Sequence, residues 1–115
     1  MPRQAAVAAH IEENCVDKLA ELFVDAHSIH IPVRLVTVSN GRRRLQEKTV
    51  LEFGTANEVL FSSTLPLEFE DHIRLVSADR SFDVRATVIA VRYHAGSKAV
   101  AARFERSVKN WIIKP

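Results

Sequence analysis

The first part of the chain carries apolar residues at helical spacing. Residues 4 to about 24 contain no Gly or Pro and many good helix formers, namely Ala, Leu, Glu and Lys. Apolar side chains recur every three or four residues and so share one face of a helix, at Val7, Ile11, Cys15, Leu19, Leu22 and Ala26. The pattern predicts one amphipathic helix. Its apolar face covers either its own domain or the same helix of a second copy, which would give a homodimer.

After Ser28 the pattern changes to short segments that are rich in β-branched residues and separated by polar turns. Six strands are predicted, at residues 31–38, 42–53, 58–62, 72–77, 82–93 and 98–104. Strands that follow one another without helices favour an antiparallel barrel or sandwich, and closure into a barrel removes exposed edges. The sequence therefore predicts a mainly β fold, all-β or small α+β, with a six-stranded antiparallel β-barrel after an N-terminal amphipathic α-helix.

Three details of the barrel can be predicted from single residues. The turn at residues 54–57 contains Gly54 and Asn57, both of which tolerate a positive φ. Pro66 marks a loop, because a proline cannot donate to a central sheet ladder. Trp111, the only Trp of the chain, is expected to plug the end of the barrel.

The composition is typical of one cytoplasmic domain. The 115 residues, of which 47% are apolar and 26% charged, match the size and composition of a single folded domain. No apolar run approaches the ~20 residues that cross a bilayer, and the first residues lack the apolar core of a secretory leader. Cys15 is the only cysteine, which excludes an internal disulfide. We therefore expect a cytoplasmic protein with no membrane partner.

Charge is distributed unevenly along the chain. Residues 1–30 carry two basic and five acidic side chains, and the rest of the chain carries 14 basic and nine acidic ones. This distribution is typical of a helix with a solvated acidic face next to a mildly basic barrel. The alternative is a basic body that receives a phosphate ligand or an acidic partner. Arginine suits phosphate because its planar guanidinium donates two parallel hydrogen bonds.

Catalytic chemistry has little support in the sequence. No Ser lies in a G-x-S-x-G context, and no nucleophile–base pair can be named. His27 and His30 have the spacing of a helical metal pair, but Pro32 favours extended chain there and no third ligand is evident. Cys15 falls on the apolar face and is expected in the core. We expect a protein that is not an enzyme and needs no metal or cofactor.

A series of short sequence strings runs from about residue 27 to the end of the chain. The strings are I-P-V-R-L, T-V-L-E-F-G-T-A-N-E-V-L-F-S-S, F-D-V-R-A-T-V-I-A-V-R, A-V-A-A-R-F-E and N-W-I-I-K. In order and spacing they resemble the PilZ domain, a small six-stranded barrel best known as a bacterial receptor for cyclic di-GMP. The resemblance implies a PilZ-like barrel over residues 27–115, preceded by the helix of residues 1–26, in a single structural domain.

Two motifs make PilZ domains bind cyclic di-GMP, and both are altered here. The first is R-x-x-x-R ahead of the first strand, whose guanidiniums hold the phosphates and stack on guanine; it aligns with Ala26 and His30. The second is (D/N)-x-S-x-x-G between the second and third strands, and it aligns with Glu52, Gly54 and Asn57. Both arginines and the serine hydroxyl are missing, whereas Glu52 keeps a carboxylate.

The missing groups would contribute a large part of the binding free energy of such a site. Hydrogen bonds to charged groups contribute about 1.5–3 kcal/mol each, and a micromolar site has about 8 kcal/mol in total. The resemblance therefore implies a non-enzymatic bacterial signalling module that acts mainly through an unidentified protein partner, with weak or no binding of cyclic di-GMP.

The sequence leaves two alternatives. The first is a working cyclic di-GMP receptor in which other cations replace the missing arginines: His30, Arg34, Arg42, Arg43 and Arg44. The second is a barrel that binds single-stranded nucleic acid, which needs aromatic side chains for base stacking. It is the less favoured alternative, because five phenylalanines fit core positions at least as well: Phe53, Phe61, Phe69, Phe82 and Phe104.

Overall fold

Residues 15–38, 44–94 and 96–114 are described by a computed structural model, and they form a mainly β fold. One short helix and six strands follow one another along the chain. They are α1 (Cys15–Ala20), β1 (His27–Val38), β2 (Gln46–Gly54), β3 (Glu58–Ser62), β4 (His72–Ser77), β5 (Asp83–His94) and β6 (Ser97–Phe104). No helix among these residues is long and apolar enough to span a bilayer.

The six strands form one closed antiparallel barrel. Neighbouring strands follow the order β1-β2-β3-β6-β5-β4, and β4 pairs back onto β1 with Leu35 opposite Leu75. Every strand therefore has two hydrogen-bonded neighbours, as closure requires. The predicted six-stranded antiparallel barrel is confirmed.

The barrel interior is filled by inward side chains of all six strands. Strand residues alternate between the two faces of a sheet, so every second position points inward. Apolar side chains with no solvent exposure come from each strand and include Leu35, Leu51, Phe61, Leu75, Val88 and Val100. Burial of each such side chain contributes about 1.5–3 kcal/mol, and this interior is therefore the main source of stability.

Helix α1 packs on the outside of the barrel. Three of its side chains are buried against three outward residues of β3 and β6; the first set is Cys15, Val16 and Leu19, and the second is Leu60, Ala99 and Ala101. The small alanines leave room for the helix, and Cys15 Sγ lies 3.1 Å from the carbonyl oxygen of Arg92 on β5. The buried residues of α1 are therefore covered by their own barrel and not by a second copy.

The predicted helix extends too far at its C-terminal end. The sequence predicts a helix to about residue 24, but α1 ends at Ala20. Tighter turns follow, in which the N–H groups of Leu22 and Phe23 donate to carbonyl oxygens three residues earlier, at 3.0 Å each. Leu22 is therefore off the apolar face, and 65% of it is exposed. Residues 4–14 of the predicted helix lie outside the described residues.

Strand β1 begins earlier than predicted, at His27 and not at residue 31. Its first half pairs only with β2, and its second half, from Val33 on, also pairs with β4. Pro32 falls in the first half, which does not pair with β4, so its missing N–H removes no hydrogen bond to that strand. A proline is therefore tolerated within this strand.

We predict that Leu19→Ala destabilises the protein strongly and that Leu22→Ala does not. Leu19 is 1% exposed between helix and barrel, whereas Leu22 is 65% exposed. The first change leaves a cavity and should lower the unfolding free energy by about 2–5 kcal/mol, and the second should change it by less than about 0.5 kcal/mol. Urea unfolding followed by circular dichroism measures both. Equal effects would contradict the packing of α1 on the barrel.

Candidate functional site

Four of the residues that the sequence nominates lie at one end of the barrel. The β1–β2 register places His27 opposite Gly54. The register then shifts, so that two residues of β1, one of them His30, face Glu52 in a β-bulge. Asn57 follows Gly54 in the turn to β3. The structure thus brings His30, Glu52, Gly54 and Asn57 to the same end.

The β2–β3 turn is organised by Thr55. Its hydroxyl oxygen accepts hydrogen bonds from the N–H groups of Asn57 at 3.1 Å and Glu58 at 2.9 Å, and the hydroxyl donates to the Glu58 carboxylate. The Thr55 N–H donates to the Glu58 carbonyl oxygen at 2.9 Å. Neither Gly54 nor Asn57 has a positive φ. The predicted turn is present, but the predicted reason is wrong, because a side-chain hydroxyl closes it.

Gly54 lies beneath side chains from other parts of the chain. A Cβ atom built on it would lie 3.0 Å from Ile113 Cδ1, 3.1 Å from Trp111 Cζ2 and 3.2 Å from Ile29 Cδ1. Carbon atoms in ordinary contact are about 3.5–4.0 Å apart, so these three groups can pack this closely only because residue 54 has no side chain. Gly54, one of the candidate ligand-binding positions, is therefore covered by the chain's own residues.

Trp111 closes this end of the barrel. Its indole N–H donates to the Thr55 carbonyl oxygen at 2.7 Å, and its side chain is buried. Its ring meets Phe104 edge-on, with 5.1 Å between the ring centroids, and lies 5.3 Å from the Phe82 ring. Asn110, with a φ of 61°, turns the chain just before it. This burial agrees with the predicted plug.

Arg74 and Arg103 are the strand arginines with the shortest ion pairs among the described residues. Arg103 Nη2 lies 3.1 Å from the Glu58 carboxylate, the same group that receives the Thr55 hydroxyl. Arg74 donates two hydrogen bonds to Asp83, at 2.8 and 2.6 Å, and these bonds lower the pKa of the Asp83 carboxyl. Both guanidiniums are therefore engaged within the protein.

The candidate arginines lie away from the Gly54 turn. Arg34 is seven residues along β1 from the position opposite Gly54, which is ~23 Å at the usual rise of a strand. Arg44 precedes β2, ten residues from Gly54. Arg42 and Arg43 lie outside the described residues. Neither Arg34 nor Arg44 can therefore replace a guanidinium at the turn.

Arg34 instead lines a second region, which we call the cationic groove and define by Arg34, Lys48 and Arg80. The β1–β2 register places Arg34 directly opposite Lys48. Arg80, from the β4–β5 turn, completes a groove of about 290 Å³ whose described lining includes no Asp or Glu. Lys48 and Arg80 could not be nominated from the sequence, because only the tertiary structure shows that they lie beside Arg34.

The aromatic side chains were predicted to fit the core, and four of the five phenylalanines do. They belong to the buried clusters or pack against them: Phe53, Phe61, Phe82 and Phe104. Phe69 is 65% exposed, so its predicted core position is wrong. It precedes Glu70, whose N–H donates to Val88 of β5. Among the described Phe, Tyr and Trp side chains, the other largely exposed one is Tyr93. It lies five residues or ~17 Å further along β5, a separation that does not suit bases stacked in succession.

Metal chemistry has no support in the part of the chain that the structure describes. Within residues 15–38, 44–94 and 96–114, no three His, Cys, Asp or Glu side chains are grouped so that they could hold a metal ion.

No protein-family model matches the chain, and no curated protein matches it in sequence. The closed barrel end and the cationic groove are therefore the features from which function can be inferred.

We predict that Gly54→Ala destabilises the protein and that Ile113→Val reduces this effect. The added methyl group would overpack the site and should lower the unfolding free energy by about 1–3 kcal/mol. Ile113→Val removes the Cδ1 atom, which is the nearest neighbour of the new Cβ. In urea unfolding, the double variant should therefore lose less stability than the sum of the two single changes. Strict additivity would show that Ile113 does not cover Gly54.

Proposed function

We propose that this chain is a PilZ-like regulatory module that is not an enzyme, acts through contacts with a protein partner, and binds cyclic di-GMP weakly or not at all. The observation that carries the proposal is the closed barrel end, where Trp111 and Ile113 lie against Gly54. The closed barrel of six antiparallel strands gives further support, since this is the architecture that the sequence resemblance implies.

The groups around the turn favour weak nucleotide binding. Ala26 and His30 stand where a PilZ receptor has its two arginines, and His30 lies in the β-bulge beside Glu52. The neighbouring hydroxyl, that of Thr55, already donates to Glu58 and accepts two N–H groups within the turn. Each missing hydrogen bond to a phosphate would cost about 1.5–3 kcal/mol. This is a large part of the total binding free energy of a micromolar site, about 8 kcal/mol.

Exposed apolar side chains at the same end favour a protein contact. Val24, three residues before His27, is 97% exposed, and His27 lies opposite Gly54. Ile112, in the segment that covers Gly54, is 63% exposed. Exposed apolar side chains that lie together are typical of protein–protein interfaces. These two exposed apolar side chains, each close in sequence to the Gly54 cover or to its partner His27, support a protein contact near this end of the barrel.

Isothermal titration calorimetry with cyclic di-GMP tests the proposal. We predict no low-micromolar binding to the native chain. The double variant Ala26→Arg/His30→Arg restores the two guanidiniums, yet it should also show no low-micromolar binding, because Trp111 and Ile113 still cover Gly54. Circular dichroism establishes that the variant is folded. Low-micromolar binding by the native chain would overturn the proposal, and a gain of such binding in the variant would show that the closed end does not block the nucleotide.

A further inference from the structure

Two cations face each other across the β1–β2 ladder, with no counter-ion among the residues that the structure describes. Arg34 and Lys48 are directly opposite, and both are exposed. Side chains in this position have Cβ atoms about 4.5–5.5 Å apart, and like charges there destabilise a sheet. Among the described residues, the ion pairs involve other side chains, and neither Arg34 nor Lys48 has a partner. An anion bound between the two cations would relieve their repulsion.

Arg80 adds a third cation on a braced turn. The Asp79 carboxylate accepts hydrogen bonds from the Ser77 hydroxyl at 2.8 Å, the Ser81 N–H at 3.0 Å and the Ser81 hydroxyl at 2.7 Å. These bonds, above all the one from the Ser81 hydroxyl, lower the pKa of Asp79 to about 2, so the carboxylate stays ionised at neutral pH. Arg80 has a φ of 63°, and its N–H donates to the Ser77 carbonyl oxygen at 3.0 Å. The backbone that carries Arg80 is therefore fixed beside the groove.

The carboxylates closest in sequence to Arg80 are already engaged. Asp79 is bonded within the turn, and Asp83 accepts two hydrogen bonds from Arg74. The other residues that line the cationic groove are apolar or carry hydroxyl groups: Pro32, Val33, Thr49, Val76, Ser77 and Ala78. The described walls of the groove therefore carry no negative charge of their own, while Asp83, outside the lining, interacts electrostatically with Arg80.

A larger groove on the same barrel provides a contrast. It has a volume of about 690 Å³. Its charged lining residues are Asp83, Arg85, Glu105, Arg106 and Lys109. There, the charges of cations and carboxylates offset one another. In the cationic groove, the charged residues of the described walls are all cations. The lack of a lining carboxylate, and not the number of cations, distinguishes the cationic groove.

We propose that the cationic groove binds the phosphoryl group of a small phosphorylated molecule. Arg34 and Arg80 can each donate two hydrogen bonds to phosphate oxygens, and Lys48 adds a compact positive charge. A volume of about 290 Å³ lies at the lower limit of small-molecule pockets, so the ligand has the size of a simple phosphate monoester. The apolar walls of the groove contact its organic part. This site goes beyond the proposed function, because none of the three cations belongs to the covered Gly54 turn.

Titration with inorganic phosphate, followed by amide NMR at constant ionic strength in chloride, tests the site. We expect saturable shifts at the amides of Arg34, Lys48 and Arg80. Lys48→Gln should weaken phosphate binding by about tenfold or more, because a hydrogen bond to a charged group is worth at least that factor. Arg80→Gln, in the turn, should have a similar effect and serves as a second variant.

Lys109→Gln is the matched control, since Lys109 is an exposed cation of the larger groove. It should leave the dissociation constant for phosphate unchanged. Phosphate should also raise the unfolding temperature of the native chain and of Lys109→Gln more than that of Lys48→Gln. Shifts that do not saturate, an unchanged dissociation constant in Lys48→Gln, or equal weakening by Lys109→Gln would overturn the site.

Phenyl phosphate, compared with inorganic phosphate in the same titration, tests the role of the apolar walls. We expect phenyl phosphate to bind more tightly, because its ring can contact those walls while its phosphoryl group meets the same cations. Weaker binding of phenyl phosphate than of inorganic phosphate would overturn the assignment of a small phosphorylated molecule as the ligand. Neither result depends on cyclic di-GMP, so the site and the proposed function can fail separately.

Discussion

The hydrogen bond from the Trp111 indole N–H to the Thr55 carbonyl oxygen ties the C-terminal segment to the β2–β3 turn. A buried indole N–H without an acceptor would cost about 1–3 kcal/mol. The ring is therefore stable in the core only where a hydrogen-bond acceptor lies within reach of its N–H. Thr55 holds that acceptor in place, because its N–H and hydroxyl are both bonded to Glu58. Gly54 leaves the space that the ring needs. Closure of this barrel end thus depends on one backbone oxygen and one missing side chain.

The outer surface of the barrel has a covered side and an open side. On β3 and β6, three of the outward residues are apolar and buried, and α1 packs on them: Leu60, Ala99 and Ala101. On β1 and β2 the outward residues include Arg34 and Lys48, which stay exposed and face each other. The covered side contributes to stability, whereas the open side costs some stability through like-charge repulsion. Such a cost on a rigid scaffold favours a binding role for the open side.

The strands could be predicted from the sequence because they depend on near neighbours. Runs of β-branched residues and the polar turns between them place all six strands, and no long-range information is needed. The end of α1 could not be predicted in this way. The apolar spacing continues through Leu22, but the chain tightens after Ala20, and 65% of Leu22 is exposed. The resemblance to PilZ domains stays a prediction.

The candidate site was harder to predict, because it depends on residues far apart in the chain. From the sequence, Gly54 is predicted to be a turn glycine. In the structure, its lack of a side chain permits the close approach of Trp111 and Ile113. From the sequence, Arg34 cannot be distinguished from the other arginines of the predicted strands. Only the pairing register shows that it faces Lys48. Local patterns therefore predict the scaffold, whereas the closed end and the cationic groove follow from tertiary contacts.

Hydrogen exchange of the Trp111 indole N–H is the most direct test of the closed barrel end. The chain has one Trp, so its indole gives a single NMR signal. We expect this proton to exchange only through global unfolding, with the same opening free energy as the amide of the fully buried Leu51. Exchange as fast as that of a solvent-exposed indole would contradict the seating of Trp111 on Thr55 and the closure of the barrel that follows from it.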